Sequence, residues 1–179
     1  MGVNLIAALW GFAEAILFFI VPDLWLSVAG RDDLRAGLRA CLYALIGALV
    51  GGSIVYYWGA HDHSRALAAM DKVPAVSAEM ISCVGSELNH RGPWALLFGL
   101  VSGTPYKLYA AQAAGAGVDF WLFLLVSIPG RLIRFVAVTL FCHYCVRLLR
   151  RLGLAENFLM ALLFGWTLFY LLFFSLMPN

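Results

Sequence analysis

The sequence predicts an all-α polytopic membrane protein. It has two re-entrant helical hairpins in an inverted repeat, about three full transmembrane helices and an amphipathic helix. Three observations carry this reading. First, 63% of the 179 residues are hydrophobic and only 12% are charged, where a soluble domain carries about 25% charged residues. Mean hydropathy is +0.88, and too little polar surface exists to cover a globule. Second, the apolar residues fall in long runs, several of which reach the roughly 20 residues a helix needs to cross a bilayer. Third, two of those runs are broken in the middle by proline and charged residues. The net charge of +2 and the lack of any Lys/Arg cluster interleaved with aromatics point away from nucleic acid. The 15% aromatic content suits Trp and Tyr at membrane interfaces.

The first run covers about residues 3–29 and contains Glu14, Pro22 and Asp23. Ser27-Val28-Ala29 looks like a signal-peptidase site, but no basic region precedes it and Glu14 lies inside the would-be apolar core, so the segment reads as mature protein. The second run, about 37–59, is clean. Its Ala44, Ala48 and Gly52, with Gly47 and Gly51, let helices approach closely in lipid and predict a packed central helix. A polar stretch follows at 60–92. Within it Val76, Met80, Cys83, Val84 and Glu87-Leu88 recur near helical spacing, which predicts an amphipathic helix on the membrane surface or capping the bundle. His61, Asp62 and His63 read there as solvated loop residues rather than metal ligands. The third run, about 93–118, has Gly103-Thr104-Pro105-Tyr106-Lys107 at its centre. The fourth, about 120–147, holds Pro129, Arg131 and Arg134, and the fifth, about 157–177, is clean.

Charge parity sharpens the third run. Lys and Arg prefer the cytoplasmic side. If 93–118 crossed the membrane, Arg31, Arg35 and Arg39 would face the side opposite Arg147, Arg150 and Arg151. If it enters and leaves on one side, both triplets face the cytoplasm. Its halves are each about ten residues, too short to span alone. The first run is similarly divided, either at Pro22-Asp23 or at a bend nearer Glu14. The whole chain then reads as one membrane domain. A broken segment and a full helix (3–59) are followed by a connector (60–92), a second broken segment and full helix (93–147), and a last helix (157–177). Paired interruptions in two halves point to a transporter-type inverted repeat with a site near the midplane. The basic loops 31–39 and 147–151 are expected in the cytoplasm of a multi-pass inner-membrane protein.

The chemistry lies in the ionisable residues at depth: Glu14, Asp23, Lys107, Arg131 and Arg134. Each costs roughly 2.5–3.5 kcal/mol on the insertion scale and persists when it faces protein or water and is paired. Arg131 and Arg134, three apart, lie on one helix face and can converge on Lys107 or on the carboxylates. Glu14, deep in apolar sequence, needs a proton or a nearby cation. Two uses remain open: ion-pair glue between hairpins, or a functional site. Cys41, Cys83, Cys142 and Cys145 read as small buried hydrophobes, and His143 as a packed histidine. No Ser-His-Asp order, metal-ligand cluster or phosphate loop is present, so neither an enzyme, a metal nor a cofactor is expected.

One family resemblance covers about residues 10–145. In order, Asn89-His90-Arg91-Gly92, Gly99, Gly103-Thr104-Pro105-Tyr106-Lys107, Ala114-Gly115, Phe120 and Gly130-Arg131-Leu132-Ile133-Arg134-Phe135 resemble the DedA, or VTT-domain (SNARE-associated), membrane protein superfamily. The likeness is to its small YqaA-like bacterial branch. Glu14, Pro22-Asp23, Ala29-Gly30 and the Gly47, Gly51, Tyr56, Gly59 series match the first half of that pattern. Asp23-Leu24 stands where the family often has Gly-Glu, and Lys107 where it often has arginine. The resemblance implies facing re-entrant hairpins broken at Pro22 and at Gly103, Thr104 and Pro105. It implies flipping or scrambling of an anionic lipid, undecaprenyl phosphate or a phospholipid, linked to protons in bacterial members. Lys107, Arg131 and Arg134 would bind the lipid phosphate, and Glu14 and Asp23 would be the acidic, proton-coupling pair. The rival from another class is a non-transporting membrane scaffold or envelope-homeostasis protein with purely structural charges. A homo-oligomer is compatible with either.

Overall fold

The computed structural model describes residues 2–16, 20–153 and 158–176, with the side chains of 100, 101, 174 and 176 left aside. Every regular element among these residues is helical, and none of them forms a strand. The order is α1 (Gly2–Ile16), α2 (Asp23–Ala29), α3 (Leu34–His61), α4 (His63–Met70) and α5 (Ala78–Arg91). A 3₁₀ turn (Gly92–Trp94) leads to α6 (Ala95–Ser102), α7 (Tyr106–Ala113), α8 (Phe120–Arg151) and α9 (Phe158–Leu176).

Local chemistry sets these boundaries. Asp33 begins α3 by accepting the N–H groups of Arg35 and Ala36, and Asp119 begins α8 by accepting those of Trp121 and Leu122. Asp62 caps α4 through Arg65 N–H, and Ser77 caps α5 through Met80 N–H. Gly103, at φ +76°, ends α6 in the left-handed conformation that costs glycine no Cβ clash. Pro105 then supplies the extended residue from which α7 starts. Pro22 stands in the same place before α2.

The connector differs from the expected single helix. α3 runs on to His61, and the polar stretch holds α4 and α5 with a turn at 71–77 between them. Asp62 is used as a cap, and Val84 and Leu88 form the buried stripe of α5. Cys83, expected inside, is exposed because it points off that stripe. Cys41 and Cys142 are buried, with the Cys41 Sγ 3.1 Å from the Thr139 hydroxyl. The hairpin halves α6 and α7 have eight residues each rather than ten. Residues 157 and 177, the expected ends of the last span, and residues 17–19 of the first run lie outside the described residues.

Small residues bring the backbones together. A Cβ on Gly47 would overlap the carbonyl of Ala8, and one on Gly11 the carbonyl of Ala44, so α1 lies directly on α3. α3 and α8 run antiparallel. Cys41 meets Thr139 near one end, while the rings of Tyr56 and Phe123 are 5.2 Å apart near the other. The two stretches α1–α2–α3 and α6–α7–α8 therefore repeat one plan: short helix, break, short helix, long helix.

α3 and α8, the helices among the described residues that are long and apolar enough to cross a membrane, have 28 and 32 residues. At 1.5 Å per residue these lengths exceed the roughly 30 Å hydrocarbon core. Each carries large apolar side chains on its outer face. On α3, Leu42, Ile46, Val50, Ile54 and Tyr57 are exposed in one row. A continuous apolar row of that length marks a surface that meets protein or lipid.

Candidate functional site

Glu14 occupies the last turn of α1, and Asp23 the first position of α2. The break between these helices thus sets two carboxylates on either side of it, both buried. α8 answers with two guanidiniums three residues apart. Both Arg131 amino nitrogens bond to the Glu14 carboxylate, the closer one through Oε2. Arg134 forks onto Asp23 Oδ2, with Nε at 2.7 Å and the amino nitrogen at 2.5 Å. Such forked contacts are the strong class of charge-assisted hydrogen bond. The Arg131 guanidinium also lies 4.8 Å from the Tyr106 ring centre and 5.0 Å from that of Phe135, so two aromatic faces help hold the charge out of water.

The second break supplies the other side of the site. Lys107 is buried in the first turn of α7. With Glu14, Asp23, Arg134, Gly103 and Pro105 it lines a cavity of about 280 Å³. Thr104 faces a separate, smaller cavity of about 30 Å³ that Arg131 and Arg134 also line. Pro22 serves as the residue before α2, and its neighbour Val21 reaches the large cavity. The five ionisable residues singled out from the sequence therefore meet around the two breaks.

Each ion pair leaves one atom unanswered. Arg131 Nε and Asp23 Oδ1 are buried without a hydrogen-bond partner among the described residues. A buried group of that kind costs about 1–3 kcal/mol and is a place where a ligand or a proton gains most.

α9 forms the remaining wall, which sequence reasoning did not anticipate. Trp166, Phe169, Tyr170 and Phe173 line the large cavity together with the charged residues. Tyr170 OH accepts the N–H of Val21 at 3.0 Å, satisfying backbone freed by the first break, and Trp166 Nε1 donates to the Ser27 hydroxyl at 3.2 Å. The signal was visible as two i, i+4 aromatic pairs, 166/170 and 169/173, on one helix face. The turn between α4 and α5, through Val73 and Val76, adds further apolar lining. His143 packs as expected, with Nδ1 3.0 Å from the Gly30 carbonyl oxygen.

At the far end of α8, a surface cluster contrasts with the site. Asp32 pairs with Arg31 at 2.6 Å and with Arg150. The Arg31 guanidinium, helped by Arg150, holds the Asp32 carboxyl below its ordinary value of 3.8.

No family model matches the chain, and no solved structure matches it. An uncharacterized protein of Haemophilus influenzae is 27% identical to it over 132 residues, covering 71% of this chain and 65% of that protein. The chain thus spans just under two thirds of that relative's length.

Proposed function

We propose that this chain is a multi-pass inner-membrane protein of the DedA type that moves an anionic lipid across the bilayer, undecaprenyl phosphate or a phospholipid, with protons as the coupling partner. The observation that carries the reading is the amphiphilic cavity of about 280 Å³, lined by both charged and aromatic side chains. A lipid phosphate needs the charged groups and its chain needs the apolar ones. The antiparallel α3 and α8, each preceded by a broken pair of short helices, support two re-entrant hairpins in an inverted repeat. The exposed apolar rows support a lipid surround.

Arg134, Lys107 and Arg131 receive the phosphate in this scheme. Arg134 is the first contact, because it is the less buried of the two arginines. As phosphate oxygens replace Asp23 on its guanidinium, Asp23 takes a proton, and Glu14 does the same when Arg131 turns to the phosphate. When the lipid leaves, the carboxylates release those protons and pair again. The ligand shifts the balance only by binding one state better than the other, and the exchange of carboxylate for phosphate supplies that difference.

Purified protein in liposomes tests the reading. Movement of a fluorescent polyprenyl phosphate or phospholipid between leaflets is expected, with at least a tenfold loss in Glu14→Gln and Arg131→Ala. Movement that continues unchanged in both folded variants overturns the mechanism and favours a scaffold whose charges are structural. A cysteine accessibility scan over residues 95–116 tests the second hairpin. Labelling of its two ends from one face is expected, and labelling from opposite faces refutes it.

A further inference from the structure

A polar route leads from the surface to the buried Glu14–Arg131 pair. Glu87 lies half-buried on α5, and its Oε2 accepts a hydrogen bond of 2.6 Å from the Tyr109 hydroxyl. Tyr109 is buried on α7 and lines the cavity of about 30 Å³. Thr104, Tyr106, Ser127 and Arg131 line the same cavity. Its walls are rich in hydroxyls. Tyr106 OH donates to Ser127 at 3.0 Å, and Thr104 is bonded at 2.8 Å to Ser102, which is not itself a lining residue. About 30 Å³ leaves room for roughly two waters, at 10–15 Å³ of probe-occupied volume each, beside several polar partners. Arg131 lines this small cavity, while its partner Glu14 lines the large one. The ion pair stands between them.

The placement of Glu87 adds the second argument. α3 is about 42 Å long at 1.5 Å per residue, and α4 and α5 follow its His61 end, far from Arg31, Arg35 and Arg39. Gly85 lies against Gln112, and Gly59 against the neighbouring Ala111, so Glu87 lies toward the His61 end of α3, away from the basic triplet. A carboxylate with one oxygen on a buried tyrosine, beyond which lies a small hydroxylated cavity, is the arrangement a proton relay needs.

We infer that Glu87 is the port, and Tyr109 the relay, through which protons reach Glu14 from the face that carries α4 and α5. The inference rests on the proton-linked reading of Glu14 above. Glu87 takes a proton from water. It passes that proton to the Tyr109 oxygen as the tyrosine releases its own to water in the small cavity, so the phenol stays neutral. That water hands one proton on to Glu14 as the Arg131 side chain, which stands between the cavities, turns aside. Glu87 is a carboxylate again, Glu14 is a neutral acid, and Arg131 has lost its anionic partner.

The groups that face this route can be named element by element. His90 and Arg91 lie on Glu87's own helix, and the Arg91 guanidinium sits 3.9 Å over the Phe98 ring. α6 brings no charged residue, and Ser102 is its polar end. α7 brings Tyr106, Lys107 and Tyr109, of which Lys107 lines the large cavity. α8 brings Arg131 and Arg134. Between Glu87 and the small cavity the route thus depends on Tyr109.

Infrared spectroscopy of the full chain in phosphatidylcholine liposomes tests this without reading lipid movement. After a jump from mildly alkaline to acidic buffer, the Glu14 carboxylic C=O band should appear, identified by its loss in Glu14→Gln and its shift in Glu14→Asp. Glu87→Gln keeps the acceptor for Tyr109 but cannot carry the proton, and Tyr109→Phe keeps the packing but not the hydroxyl. Both should slow the band about tenfold or more while its final amplitude and the melting temperature are retained. Glu87→Asp should recover part of the rate. Rates within twofold of the parent in both folded variants overturn the route, as does the lack of any Glu14 band in the parent. Failure of lipid movement with these kinetics intact would sink the transport reading alone.

Discussion

Glu14–Arg131 and Asp23–Arg134 use the same chemistry three residues apart on α8, in unlike surroundings. Both side chains of the first pair are almost fully buried, at 5% and 6% exposure, whereas Arg134 keeps 29% of its side chain exposed. Two aromatic faces enclose Arg131, while Arg134 reaches both cavities. The first pair therefore behaves as a wall between cavities and the second as a more accessible contact on their lining. Burial decides the difference: removing one partner of a buried pair strands the other charge, while an accessible partner can be replaced by water or by a phosphate.

The largest expected effect follows from the wall. Arg131→Ala should cost about 3–5 kcal/mol, because Glu14 is left buried without its cation, as measured by denaturant unfolding in detergent. The double variant Glu14→Leu with Arg131→Leu should recover most of that loss. A single-variant cost no greater than that at Arg134 would break the comparison.

Arg134→Ala should be milder, about 1–3 kcal/mol, from the hydrogen bonds lost at buried Asp23. Arg134→Lys should keep more stability than alanine does but lose lipid movement, since an ammonium cannot make the forked contact. The same unfolding assay and the leaflet assay together separate those two outcomes.

Smaller still is Tyr170→Phe, at about 1 kcal/mol for the unsatisfied Val21 N–H. Faster hydrogen exchange at the Val21 amide would show that α9 holds the first break closed. Unchanged exchange would mean that the break is satisfied without α9.

The surface pair marks the lower end. Asp32→Asn should cost no more than about 1 kcal/mol at neutral pH. The Arg31 hydrogen bond, with Arg150, holds the folded-state carboxyl below 3.8. A depressed carboxylate stabilises the fold above its ordinary value, and that contribution disappears as pH falls through the folded value. Acid-limb unfolding curves of parent and variant should therefore converge at low pH. Curves that stay apart there would assign Asp32 a role beyond its charge.

The legibility of the site varied with the kind of signal. Glu14 stood out because a carboxyl inside an apolar run is costly wherever it ends up. Which of three cations answers it could not be read, since Arg131 lies 117 residues away and the pairing depends on how α1 sits on α3 and α3 on α8. Glu87, part of the connector's helical pattern, does not stand out as a site for the opposite reason. A carboxylate in a polar connector is what a solvated helix face contains, and only its 2.6 Å contact with Tyr109 separates it from its neighbours. The aromatic pairs on α9 looked like ordinary membrane-helix side chains until the cavity gave them a common face. The connector was misread as one helix because Asp62 and Ser77 are each strong caps, and two caps in one stretch make two helices.

The sequence by itself determined the all-helical content, the long apolar segments, the breaks at Pro22 and at Gly103 to Pro105, and the five ionisable residues beside them. These depend on composition and on local backbone chemistry, which short windows of sequence carry. The tertiary structure alone decided that Glu14 meets Arg131 and Asp23 meets Arg134, that α9 walls the cavity, and that a tyrosine joins Glu87 to a second, smaller one. Those are contacts across more than twenty to more than a hundred residues. They are set by which helix faces can approach closely, here through Gly11, Gly47 and their neighbours, and no local pattern encodes that choice.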